Sequence, residues 1–138
     1  MKKILVPGLA AGVVMLIASV LLMMAFSAIF PALNSEYATA LFRPWSDPLM
    51  YYIYLQPFVV GILLAYAWQK VKTVIKAKSP VKRGSKFGFA VWVIFGIPGM
   101  LITLSTFNIS TLMVSTWAFS GLVQYLLGGI TLAKLNKD

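Results

Sequence analysis

Four stretches of this chain, residues 4–30, 49–68, 87–107 and 112–133, contain no lysine, arginine, aspartate or glutamate. A helix needs about 20 mostly apolar residues to cross the roughly 30 Å hydrocarbon core of a bilayer, and each stretch is that long. A transmembrane β-barrel would show segments of about 10 residues with alternating polarity instead. Lipid offers backbone amides no partner, so continuous apolar runs must close their own hydrogen bonds as helices. Composition agrees: charged residues make up 11% of the chain, against roughly 25% in ordinary soluble domains. The expected fold is all-α, an integral membrane four-helix transmembrane bundle forming one domain, with an outer loop at 31–48 and a basic loop at 69–86.

Charge gives the expected direction of threading. Lys2 and Lys3 precede the first run, and Lys134 and Lys137 follow the fourth. Lys70, Lys72, Lys76, Lys78, Lys82, Arg83 and Lys86 lie between the second and third. With four spans, all of these fall on one side, and Arg43 is the one basic residue on the other. The positive-inside rule then predicts cytoplasmic termini and a cytoplasmic basic loop. Residues 31–48 and the Asn108–Thr111 turn are expected outside a prokaryotic inner membrane. The first run is longer than the 7–15-residue core of a signal peptide, so it reads as a retained span.

Several chemistries are excluded by what the chain lacks. It has no cysteine and no histidine, which removes disulfides, thiolate or imidazole metal sites and histidine-based nucleophilic triads. No metal and no cofactor is expected. The formal charge of +9 does not indicate a nucleic-acid binder, because the basic residues flank apolar runs and form no separate basic domain.

Small residues mark where the helices are expected to approach. Gly8 and Gly12 lie four apart in the first span, Gly61 and Ala65 in the second, and Gly84 and Gly88 at the start of the third. Gly96 continues that face, and Gly121 and Gly128 share a face of the fourth span. These faces are read first as packing within the bundle and second as a homo-oligomer contact. Gln56 and Gln124 place amides inside spans, roughly 10 Å and 18 Å below the outer helix ends. Gln56 is expected near the level of Thr103, Thr116 and Ser120, and Gln124 near Ser19 and Gly96. Gln56, Thr103, Ser120 and Gln124 are therefore the candidate intramembrane polar contacts. Pro98 removes a backbone donor mid-span and predicts a kink.

The segment NSEYATALFRPWSDP, residues 34–48, holds two of the three acidic residues, Glu36 and Asp47, with Arg43 between them. Asp47 before Pro48 reads as a helix N-cap followed by proline at the first helical position. Arg43 is spaced to pair with Asp47. Trp45, Tyr52 and nearby tyrosines fit an interfacial aromatic belt. A sharper reading joins Glu36, Arg43, Trp45, Asp47 and Tyr52 into an outer-face binding site, with Arg43 holding a phosphate or carboxylate. On the other face, Lys70, Lys72, Lys76, Lys78, Lys82, Arg83 and Lys86 set topology and are candidate contacts for anionic lipid. Val71, Val74 and Ile75 suggest a short amphipathic extension that Ser79-Pro80 should end.

No family is assigned from these residues. The first span lacks the carboxylate on which small multidrug-resistance transporters depend, and vitamin K epoxide reductase-like four-helix enzymes need cysteines, of which the chain has none. The first functional expectation is a non-enzymatic membrane protein that binds lipid or a partner protein. The second is a small oligomeric transporter or channel subunit, and the third an enzyme acting on lipid headgroups at the outer face. Threading can be tested because the chain has no native cysteine. In intact cells, Ser35→Cys should react with an impermeant maleimide and Ser79→Cys should not; the reverse pattern would invert the topology.

Overall fold

The computed structural model describes residues 2–136, which are mostly helical with no strand among them. Helix α1 spans Lys2–Ile29, and the short α2 spans Ala32–Tyr37. A 3-10 turn at Pro48–Tyr51 leads into α3, Tyr52–Val71. Helix α4, Pro80–Val91, passes through a π-helical turn at Trp92–Gly96 into α5, Ile97–Thr106. Helix α6 spans Thr111–Leu135. Four helical segments are long and apolar enough to cross a membrane: Lys2–Ile29, Pro48–Val71, Pro80–Thr106 and Thr111–Leu135. This is the architecture of a multi-pass membrane protein. Val6, Ile17, Leu21, Leu63, Ile94, Leu101 and Ile102 point outward. So wide an apolar surface suits lipid, not water.

Successive membrane helices run antiparallel. Both described chain ends and the 72–79 turn therefore lie at one end of the bundle, here the terminal end. Residues 30–51 and 107–110 lie at the other, the loop end. In cross-section α1 and α6 are central, with α3 packed on the flank of α1 and α4 on the flank of α6. The flanking helices meet at the terminal end, where the rings of Trp68 and Phe87 lie edge to face with centroids 5.2 Å apart. Trp68, Leu132 and Met15 are almost fully buried in this half.

Two glycine seams draw the helices together. A Cβ on Gly8 would lie 2.7 Å from the Ile62 Cα, and one on Gly12 would lie 2.8 Å from the Phe58 Cα. On the other flank, a Cβ on Gly84 would lie 2.5 Å from the Ile130 Cα, and one on Gly88 would lie 2.9 Å from the Leu126 Cα. In each case the obstacle is backbone, so only glycine permits the approach. Gly8, Gly12, Gly61, Gly84 and Gly88 thus serve contacts within the chain. Gly129, which the sequence reading passed over, faces Gly84 and Gly88.

One local expectation is corrected and another takes a specific form. Ser79-Pro80 does not end an extension of the second helix. That helix stops at Val71, and Ser79 instead starts the third as its N-cap, its hydroxyl accepting the Lys82 N–H at 3.2 Å. Lys82, Arg83 and Lys86 consequently lie on the first turns of α4, not in a loop. The second is the disturbance around Pro98. Proline has no N–H for the Ile94 carbonyl, and the preceding turn widens: the Ile97 N–H donates to the Trp92 carbonyl, five residues back.

The seams make opposite predictions for two glycines. In Gly61→Ala the new methyl would meet the Gly12 backbone nitrogen at 2.8 Å as well as the Gly8 carbonyl, which should cost about 1–3 kcal/mol. Gly99 has open space where its Cβ would be, so Gly99→Ala should cost nothing. Thermal unfolding in one detergent compares the two; equal stability would remove the seam as a stabilising contact.

Candidate binding cleft

Beyond the glycine seams the flanking helices separate and leave a cleft. Its volume is about 370 Å³. Ser19 and Met23 of α1 and Ser120 and Gln124 of α6 form its floor. Ile53 and Gln56 of α3 stand on one side, and Trp92, Phe95 and Met100 of the third membrane helix on the other. Leu33 and Tyr37 of α2 border it at the loop end. No lining residue carries a formal charge.

The π turn fixes the Trp92 wall. A Cβ on Gly96 would fall 2.7 Å from the Trp92 ring, so glycine there leaves room for the indole. Gly121 of α6 lies against the same ring, and the indole N–H donates to the Ala118 carbonyl at 3.0 Å. The ring is held by one hydrogen bond and two glycines, which makes it a fixed surface.

The loop-end cover is held by Glu36. Its carboxylate accepts both the Ser110 N–H and, at 2.7 Å, the Ser110 hydroxyl. Ser110 is itself the N-cap of α6, accepting the Met113 N–H at 3.0 Å. A carboxylate here also faces the positive end of the helix. The Tyr37 hydroxyl accepts the Trp117 indole N–H at 2.6 Å, and Phe42 packs against both rings. The Asn34 amide donates to the Ser27 carbonyl at 3.3 Å. Leu33 is buried beneath these contacts.

The sequence-nominated residues at this end take separate roles. Arg43 pairs with Asp47 at 2.8 Å, and Asp47 accepts the Leu49 N–H at 2.9 Å as the expected cap. The Leu49 N–H and then Arg43 hold the Asp47 carboxyl below its ordinary pKa. Trp45 and Tyr52 are exposed, while Glu36 is bound to Ser110.

Of the intramembrane candidates, Gln56, Ser120 and Gln124 share the cleft with Ser19, Thr116 and Gly96. Thr103 is not among its lining residues; its hydroxyl donates to the Gly99 carbonyl at 2.8 Å. Thr116 likewise donates to the Met113 carbonyl. Ser19, Gln56, Ser120 and Gln124 make no side-chain hydrogen bond to another described residue. Sequence reading missed Trp92 as a wall and Ser27 as a lining residue. The spacing was visible: Ser19, Met23 and Ser27 recur every four residues, as do Ser120 and Gln124.

At the terminal end, the basic candidates divide. Lys70 lies over the Tyr66 ring at 5.6 Å. Arg83 stacks on Trp68 at 5.5 Å and donates to the Ile75 carbonyl at 2.9 Å and to the Lys72 carbonyl. Lys76, Lys78, Lys82 and Lys86 line a shallow hollow. Among the described residues no group of histidine, cysteine, aspartate or glutamate could hold a metal ion. Comparison with family models, curated proteins and solved structures finds no match for this chain.

The Glu36 latch is testable by itself. Glu36→Ala removes a charged acceptor from two donors at an exposed site, a loss of about 1–2 kcal/mol in all. Amide exchange across residues 32–37 should accelerate at least tenfold while helix content stays constant. Unchanged exchange would mean that α2 is held by its apolar contacts alone.

Proposed function

We propose that this is a non-enzymatic binding protein of a prokaryotic inner membrane, with both termini cytoplasmic, whose ligand is a neutral, lipid-class amphiphile held in the cleft. The observation that carries the reading is the set of unpaired polar side chains, Ser19, Gln56, Ser120 and Gln124, on an uncharged cavity whose larger walls are mostly aromatic and thioether groups. An unpaired amide in an apolar setting costs free energy until it finds a partner. A ligand bearing carbonyl or hydroxyl groups supplies one, and its apolar body lies against Trp92, Phe95 and Met100. Because the lining carries no charge, nothing there compensates an ionised headgroup. The volume lies within the range of small-molecule sites, roughly 300–1,000 Å³. The gap between α3 and the third membrane helix offers entry from the lipid side.

Neither alternative expectation gains comparable support. A transport path would have to continue into the terminal half, where Met15 lies against Gly128 and Trp68 against Phe87. The glycine faces that would serve an oligomer are occupied within the subunit. A headgroup enzyme at the loop end would need Glu36 and Asp47 available, and both carboxylates are engaged in hydrogen bonds.

Native mass spectrometry of protein released gently from membranes tests the reading. The wild type should retain a neutral lipid-class adduct. Gln56→Leu and Gln124→Leu should each weaken retention about fivefold to tenfold, the equivalent of about one hydrogen bond. Their thermal stability should be unchanged or higher, because the substitution removes an amide without a partner. Bare wild-type protein would sink the proposal, and so would equal retention by both variants.

A further inference from the structure

We propose that the hollow lined by Lys76, Lys78, Lys82 and Lys86 binds the phosphate headgroup of an anionic lipid, at a site separate from the cleft. Four lysines line this hollow of about 510 Å³. The described carboxylates, Glu36 and Asp47, are both at the opposite end of the bundle. Lys82 and Lys86 stand one helical turn apart on α4, where like charges repel. Among the described residues no acidic side chain at this end relieves the repulsion, so the hollow gathers positive charge.

The hollow is also built, because its two halves are tied together. Arg83 joins the start of α4 to the 72–75 turn through the carbonyls of Lys72 and Ile75, with its guanidinium against Trp68. The Lys86 ammonium donates to the Lys76 carbonyl at 3.1 Å. These bonds hold the lysines of the turn beside those of the helix. Lysine is suited to phosphate as a compact point charge with three donors.

Depth identifies the source of the phosphate. The third membrane helix, Pro80–Thr106, has 27 residues and is therefore about 40 Å long. The hydrocarbon core is about 30 Å thick, so roughly 10 Å of helix projects beyond it. The polar first turns, with Lys82 and Lys86, are the part that projects, and the uncharged run begins at Phe87. The hollow thus opens at the level of lipid headgroups, where phosphates are already concentrated.

The test separates this site from general attraction by a basic surface. Purified protein in neutral detergent is titrated with phosphatidylglycerol and, separately, with phosphatidylcholine, and adducts are counted by native mass spectrometry. The wild type should take up one phosphatidylglycerol saturably and much less phosphatidylcholine. Lys76→Gln/Lys82→Gln/Lys86→Gln should weaken that uptake at least tenfold. Lys2→Gln/Lys3→Gln/Lys134→Gln removes equal charge outside the hollow and should weaken it no more than about twofold. Equal loss in the two triples would overturn the site in favour of diffuse electrostatics. Replacing the same three hollow lysines by arginine should restore uptake, which shows that loss in the glutamine triple is not misfolding; failure to restore it would count against the proposal. In a second arm inorganic phosphate competes with the lipid. Displacement at equimolar phosphate would reassign the hollow to a free anion and overturn the lipid assignment, whereas retention at a hundredfold excess supports it.

Discussion

Apolar helices in lipid gain little by trading lipid neighbours for one another, so their association depends on how closely their backbones can approach. In this protein that approach is made by glycine against backbone. Gly8 and Gly12 admit Ile62 and Phe58 on one flank, and Gly84 and Gly88 admit Ile130 and Leu126 on the other. A side chain at any of these positions would push a whole helix outward. The remaining architecture follows from where along the membrane normal these contacts occur.

They occur in the terminal half. Gly96, Gly99 and Gly121, nearer the loop end, face a Trp92 ring or open space and meet no neighbouring backbone. Four helices pinned in one half and carrying large side chains in the other must diverge. The cleft is the space produced, with α1 and α6 as its floor and the flanking helices as its sides. The π turn before Pro98 belongs to the same geometry. It is the local backbone consequence of a missing donor, and its first residue, Trp92, supplies the cleft's wall. The short α2 then borders the open end, and it depends on Glu36 reaching a helix terminus far along the chain.

How much of this was legible in the sequence depended on the range of the interaction. The four spans were readable because uncharged length is a local property, and so was the Asp47-Pro48 cap with Arg43 four residues earlier. The glycine faces were readable as small-residue spacing, although Gly129 was not, because its role exists only opposite Gly84 and Gly88. Ser79-Pro80 was read as a stop when it is a start. The same pair of residues serves both readings, and the choice turns on which side forms the capped helix. Glu36 was grouped with Arg43 and Asp47 of its own segment because Ser110 is 74 residues away, and no local pattern announces a partner at that distance. The two glutamines were placed at different depths by helical rise alone. A long cleft between diverging helices lets both border one space without touching.

Polar side chains within the spans differ in whether the chain itself satisfies them. Thr103, Ser115, Thr116 and Thr131 donate to carbonyls of their own helices, and Trp92 donates across to α6. Those groups are satisfied without help from outside the chain. Serine and threonine can always do this, because their hydroxyls reach back one turn. Glutamine has a longer arm, and Gln69 shows what it does when a partner is near: its amide donates to the Lys3 carbonyl at 3.1 Å. Gln56 and Gln124 have the same reach and make no such bond, and Ser19 and Ser120 beside them do not bond back either. Leucine in place of either amide would pack as well and would carry no desolvation cost. The Trp68 indole N–H, buried in the terminal half, also lacks a hydrogen-bond partner, but at the cleft four such side chains border one space, and the proposed ligand is a partner that enters it.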